Sequence, residues 1–510
     1  MGIHSFVSKM AVKRNKCLPI NRIGFELYEN IPTFVRILGS NMKKFARLLL
    51  ALCLLFSIGE SWAQNIESDD KRIVPLGDIT QIGKGKHKAQ ADAPIQSDSL
   101  AVDTLRKKGF FRRIIDYYNR SNVDRTFEKK IDWSIAPGPN YSSDVGFGMG
   151  FLLAGLYRLD RTDSITQPSN ISIYGNFTTQ KFVLLRFSGD NIFSHNKHRL
   201  SYSGAFVYFP GAFYGVGYDA GKEGYAQELA TTNAIFRISY CTSIMGRLYA
   251  GVSAGFNYSG TRYSETHMGE YLQKIKDGTE PKPDGQLGEI YEGWLQGTYD
   301  PQKQDPFVNY IRATGEKPNA FNAHVGLFLQ YDSRDITINA SKGIFFKTEA
   351  KWYPQWLGNT DRHFGRLSLT FDAYKKIWKG GILAYDFFTD FTIGTPSWHM
   401  YSKLGGMERM RGYYEGRYRD KRLIETQVEL RQKVYHRHGV VGWFGVGQVW
   451  GSNKFRWENT LYSFGCGYRF EFKKGMNIRL DYGWGVYGNR QLPWDRKRSS
   501  AFLFTASEAF

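Results

Sequence analysis

From Ile131 onward, apolar and polar side chains alternate one by one through many short segments of this chain. In 425–434, Thr426, Val428 and Leu430 alternate with Glu425, Gln427, Glu429 and Arg431. In 477–486, Ile478, Leu480, Tyr482, Trp484 and Val486 alternate with Asn477, Arg479, Asp481, Gly483 and Gly485. In 462–472, Tyr462, Phe464, Tyr468, Phe470 and Phe472 alternate with Ser463, Gly465, Gly467, Arg469 and Glu471, and 344–352 and 367–373 repeat the pattern. A period of two is that of a β-strand, whose successive side chains point to opposite faces.

The chemistry of the two faces decides the kind of sheet. One face is rich in Tyr, Phe and Trp; the other mixes charges of both signs with glycine. An aromatic exterior in lipid around a polar lumen predicts that pairing. A sheet in lipid cannot leave strand edges unpaired, so the strands must close. Residues 131–510 allow sixteen strands at roughly 24 residues for each strand with its connection. The expected strands include 131–140, 421–434, 439–450, 461–473, 476–487 and 500–510. The first contains Pro137 and Pro139, which suit only a weak or edge strand. The hydrophilic stretch from Tyr263 to Pro318 reads as an extracellular loop. Parity places Cys466 on the lipid face and Cys241 on the lumen face, which disfavours a disulfide between them.

Composition agrees. Aromatics make up 16% of the chain and glycine 54 residues, whereas a bundle of membrane helices needs repeated apolar runs of about 20 residues. The one apolar run, Leu48–Ile58, is too short to span. It follows Lys43, Lys44 and Arg47 and precedes Ser61-Trp62-Ala63, so residues 42–63 read as a secretory signal cleaved after Ala63. Leu52, ahead of Cys53, is not the small residue a lipoprotein needs. Residues 1–41 then read as an upstream extension of the reading frame, not a domain. Residues 64–130 are a polar periplasmic segment with one short amphipathic basic stretch, Leu105–Asn119. The formal charge is +20, and residues 1–63 carry nine Lys/Arg against three Asp/Glu, leaving +14 for the rest. No basic helix or zinc spacing points to nucleic acid; phosphate-bearing lipids are the better match.

Candidate chemistry gathers in GGMERMRGYYEGRYRDKR, residues 405–422. Gly405-Gly406 and Arg411-Gly412-Tyr413 join three further features: Asp332-Ser333-Arg334-Asp335 with Gly343, the strand motifs Glu429-Leu430-Arg431 and Arg479-Leu480-Asp481, and the final Phe510. Together these resemble the BamA/TamA-type outer-membrane barrels over about residues 131–510. The resemblance implies an all-β, 16-stranded transmembrane antiparallel barrel in the bacterial outer membrane. It implies that loop 405–422 folds into the lumen, where Arg411 meets acidic wall residues. Glu429 is the first candidate partner and Asp481 the second. Asp332, Arg334, Asp335 and Gly343 become a periplasmic turn, and Phe510 the C-terminal assembly signal. Two positions depart from the family's pattern: Ala340 stands where proline is usual, and Gly445 where an aspartate is. The family's insertases also carry periplasmic substrate-binding (POTRA) repeats, and no strand-helix-helix-strand repeat is evident in 64–130.

Two functional readings follow: insertion or translocation of protein, or lipid, at the outer membrane, and a structural or surface barrel serving as pore, adhesin or anchor. The expected partners are outer-membrane lipids and lipopolysaccharide, with a separate periplasmic or membrane protein supplying substrate. The loop cations Arg409, Arg411, Arg417, Arg419, Lys421 and Arg422, and the cluster Arg496-Lys497-Arg498, are candidates for lipopolysaccharide phosphates. No cofactor, metal or catalytic role is expected, because His363, His399, His436 and His438 fall in loops or turns without an ordered serine–acid partner set.

Overall fold

A computed structural model describes residues 126–510, apart from 143–144, 264–267, 300–304, 337–338, 359–362, 452–454, 474–475, 486–499 and 506–508. The expected signal, the stretch 105–119 and the cluster 496–498 lie outside the described residues.

Eighteen strands form among the described residues. They are β1 (Asp132–Ser142), β2 (Gly146–Tyr157), β3 (Ser169–Thr178), β4 (Val183–Ile192), β5 (His198–Phe213) and β6 (Gln227–Met245). Next come β7 (Leu248–Tyr263), β8 (Asn319–Asp332), β9 (Gly343–Tyr353), β10 (Phe364–Trp378), β11 (Gly381–Gly394), β12 (Ser402–Leu404) and β13 (Tyr418–Asp420). The last are β14 (Arg422–Tyr435), β15 (His438–Trp450), β16 (Leu461–Lys473), β17 (Met476–Gly485) and β18 (Ser500–Thr505). Sixteen of them close into one barrel of antiparallel neighbours, while β12 and β13 pair only with each other. One end, the turn end, holds the start of β1 and the two-residue connections 246–247, 379–380 and 436–437. The opposite loop end holds the long connections.

The two faces follow the alternation. Glu425, Gln427, Glu429 and Arg431 are buried toward the lumen, while Val428 and Leu430 are exposed outward. Trp133, Phe151, Phe187, Trp352, Phe444, Phe464, Trp484 and Phe502 are exposed on the outer wall, as a lipid-facing surface requires.

Two features depart from expectation. β5, β6 and β7 run to 16, 19 and 16 residues, longer than the roughly 9–11 that a bilayer crossing needs. The hydrophilic connection after β7 is itself folded. It carries helices α2 (Met268–Lys276), α3 (Gln286–Leu295) and α4 (Pro306–Thr314), after α1 (Tyr218–Glu223) in the β5–β6 connection. Pro306 opens α4, where its missing N–H costs nothing, and Gln227 Oε1 accepts the Phe307 and Val308 N–H groups at 3.0 and 3.2 Å. Phe307 packs edge-on against Phe213, Tyr263 and Trp398 at ring separations of 5.3, 4.9 and 5.0 Å. The long wall therefore supports a folded cap.

Cys241 is buried and Cys466 exposed, and both are free thiols. Intact mass should not change on reduction, and in liposomes Cys466 should react with a lipid-soluble maleimide. A mass showing a bridge would refute the strand register.

Candidate functional site

The β11–β14 connection turns back into the barrel. Its stem is the β12–β13 ladder, with Ser402 opposite Asp420 and Leu404 opposite Tyr418. Leu404, Met410, Tyr413 and Tyr418 then pack with Leu423, Val449 and Leu461 of the wall. This apolar cluster brings the polar tip, residues 405–417, into the lumen. There Tyr414 Oη accepts the Ala212 N–H of β5 at 2.8 Å, and Arg417 Nε donates to Gly221 O of α1 at 3.0 Å. The loop thus spans from the β14–β17 wall to β5.

Arg411 is fully buried at the centre of this span. Its Nη1 donates to Asp481 Oδ2 at 2.7 Å and its Nη2 to Glu429 Oε2 at 2.5 Å. The guanidinium lies 3.7 Å over the Trp443 ring, a cation–π contact that gains when desolvated. Each carboxylate is shared. Arg431 Nε reaches Glu429 Oε1 at 2.7 Å, and Arg469 Nη1 reaches Asp481 Oδ1 at 2.5 Å. Sharing matters because a buried charge is tolerated only when its lone pairs or protons are satisfied. Gly412 permits the approach: at φ 112° it passes β17 so closely that a Cβ would lie 2.6 Å from the Trp484 carbonyl carbon. Ser463 Oγ donates to Arg411 O, and Tyr413 Oη to Tyr462 O at 2.9 Å.

The structure thus brings Arg411, Gly412, Tyr413, Glu429 and Asp481 into one contact set. At Gly445, where an acid would stand in the resembled family, a Cβ would meet Met410 Sδ at 3.5 Å; the thioether occupies that side of the wall. The loop gains a different acid, missed in the sequence. Arg409 forms a bidentate pair with Asp386 of β11, both bonds 2.7 Å. Parity along 380–391 gave the signal, since Asp386 and Asp390 share the lumen face with Ala384.

Four of the six loop cations do not form a rim, whereas Lys421 is half-buried and Arg422 exposed. Arg409, Arg411, Arg417 and Arg419 turn inward, and the last three are buried. His399 is not a solvated loop histidine either: it donates from Nε2 to Pro318 O at 3.0 Å, and burial pushes it down to about 3.

At the turn end, Asp332 accepts Arg334 Nε and Nη2 at 3.0 and 2.9 Å, and the guanidinium stacks on Phe345. Asp335 Oδ1 accepts the Ile336, Ser341 and Lys342 N–H groups at 3.0, 2.9 and 3.3 Å, closing the 333–342 turn. Gly343, at φ 108°, lies so close to this turn that a Cβ would be 2.4 Å from Ser333 O. Phe510 lies beyond β18 and turns into the lumen, packing with Ala340, Tyr374 and Ala384. Its main-chain oxygen accepts Arg431 Nη2 at 3.0 Å. Arg411, Glu429, Arg431 and Phe510 are consequently linked in series, from the loop tip to the turn end.

The barrel closes at a seam between β1 and β18. β1 and β2 are in register along all of β1, across Pro137 and Pro139, whereas among the described residues β1 pairs with β18 at Tyr141–Phe504 and Ser142–Leu503. Residues two apart in a strand send their N–H groups to the same edge. Both prolines therefore remove donors from one edge, and the unbroken β2 ladder places that edge at the seam.

The chain is similar to three solved outer-membrane barrels. For BamA from Haemophilus ducreyi lacking POTRA domains 1–3, identity is 11% and TM-score 0.45, covering 74% of this chain and 70% of that one. For CdiB from Acinetobacter baumannii the values are 9%, 0.45, 74% and 60%, and for CdiB from Escherichia coli 8%, 0.48, 74% and 63%. The chain thus spans less than two thirds of either CdiB. No family model and no curated protein matches the sequence.

Arg411→Ala would leave Glu429 and Asp481 facing the space the guanidinium filled. Removing one partner of a buried pair costs about 3–5 kcal/mol, so the variant should lose its heat-modifiable gel shift at lower temperature than wild type. An unchanged transition would overturn the inward placement of the loop.

Proposed function

We propose that this chain is an outer-membrane barrel of the BamA/TamA type that inserts or translocates protein, or lipid, by transient opening between β1 and β18. The observation that carries the reading is the contrast between the seam and the lumen. Among the described residues two pairs join the closing strands, and two prolines strip donors from that edge of β1, while a loop anchored at β14, β17 and β5 occupies the interior. A barrel built to conduct would keep its lumen clear and its wall evenly paired. Here the proline-interrupted edge of β1 is the part that can release β18 and pair with an incoming strand, since unpaired edge groups in lipid need a partner.

In this reading the buried network holds the wall fixed while the seam opens, and the chemistry is hydrogen-bond exchange without a catalytic group. A separate periplasmic or membrane protein delivers substrate, and outer-membrane lipids with lipopolysaccharide form the surroundings. A structural or surface barrel is the second reading; the folded cap of α2–α4 on the long wall favours it.

A reversible cross-link tests the choice. With Cys241 and Cys466 changed to serine, Ser142→Cys and Leu503→Cys place two thiols at one seam pair. Oxidation should stop the chain from accelerating the folding of a client barrel into liposomes, and reduction should restore it. Equal acceleration in both states would exclude the seam, and no acceleration in either would favour the passive barrel.

A further inference from the structure

At the turn end the lumen opens into a cavity of about 500 Å³ beside the adjacent turns 379–380 and 436–437. Its polar wall is basic. Arg431, Lys433 and Arg469 line it but are already paired with Glu429, Glu471 and Asp481. Lys376, Lys379 and Arg437 also line it, and among the described residues their side chains make no ion pair. Lys376 stands on the lumen face of β10, and the other two stand on the turns. Three cations with no ion-pair partner among the described residues therefore border one cavity.

The cavity also reaches past the rim of the barrel. Its wall includes Trp378 and Val440, which are 56% and 49% exposed. The Trp378 indole N–H donates to Gln432 Oε1 at 2.6 Å, fixing the ring at the edge of the wall. Val434 and Tyr435 are exposed nearby in sequence. Indole and aliphatic groups next to Lys and Arg are the chemistry of a membrane–water boundary.

We propose that this cavity binds the phosphate headgroup of an anionic phospholipid from the leaflet at the turn end. The acyl chains stay on the outer wall against Trp378 and Val440, and the phosphate crosses the rim to Lys376, Lys379 and Arg437. The volume suits a headgroup, and ammonium and guanidinium donors form charge-assisted bonds to phosphate oxygens. An acidic peptide would satisfy the same cations but leave the apolar half of the cavity unused. The site goes beyond the seam reading, because none of the three cations takes part in the loop network.

Native mass spectrometry of the full chain, released from detergent containing phosphatidylglycerol or phosphatidylcholine, tests this. Phosphatidylglycerol should stay bound through activation that strips phosphatidylcholine, and inorganic phosphate should not displace it. Charges at a membrane surface each contribute about fivefold in affinity, so Lys376→Gln with Lys379→Gln and Arg437→Gln should weaken retention on the order of 100-fold. Lys222→Gln with Lys274→Gln and Lys282→Gln, at the loop end, should leave retention unchanged. Should the first triple variant lose its heat-modifiable shift, the single turn changes Lys379→Gln and Arg437→Gln read the effect at about fivefold each. Equal retention by wild type and folded variants would overturn the site. Displacement by inorganic phosphate alone would reassign it to free anions, and displacement by penta-glutamate without preference between the two lipids would reassign it to an acidic peptide.

Discussion

The Arg411 guanidinium, buried between Glu429 and Asp481, is the constraint on which the interior depends. Three charged groups out of water are costly, and mutual attraction offsets that cost only if the geometry holds and the other lone pairs are filled. Arg431 and Arg469 fill them. The loop therefore cannot be displaced without leaving carboxylates and guanidinium groups unpaired in the same enclosed space. Burial on this scale is weak evidence for stability, yet it specifies position: the tip has one place to sit.

That constraint also joins features that are distant in the sequence. Glu429 accepts Arg411 on one oxygen and Arg431 on the other, and Arg431 reaches Phe510, which packs on Ala340 in the 333–342 turn. A change at the loop tip is thus connected to the turn end through side chains rather than strands. The seam stands apart from this chain of contacts. Its character comes from backbone: two prolines stand on one edge of β1, and among the described residues two pairs join it to β18.

Much of this was legible in the residues. Strict alternation gave the barrel and its faces, because parity is fixed once one face must meet lipid, while the length of 131–510 and the resemblance gave its strand number. It also placed Glu429 and Asp481 on the lumen side, and the resemblance supplied Arg411 as their partner. Other features were hidden for physical reasons. The helices α2–α4 bury few apolar residues each, so the connection looked hydrophilic, although Phe307 and Leu272 are fully buried. Arg417 and Arg419 looked solvated because a charge run gives no sign of which way a loop folds. Asp386 was readable from parity alone, but its partner Arg409 was not, since loop residues have no fixed period. Phe510 was expected at the end of the closing strand, and its turn into the lumen depends on Tyr374 and Arg431, which are remote in sequence.

The most direct measurement of the central interaction is a double-mutant cycle on unfolding from liposomes, with Arg411→Ala, Glu429→Ala and the pair. Groups that share a buried network couple by about 0.5–3 kcal/mol. Coupling toward the upper end of that range is expected here, because each single change strands a charge that the double change removes. Additive effects of the two substitutions would mean that Arg411 and Glu429 do not meet in the folded barrel.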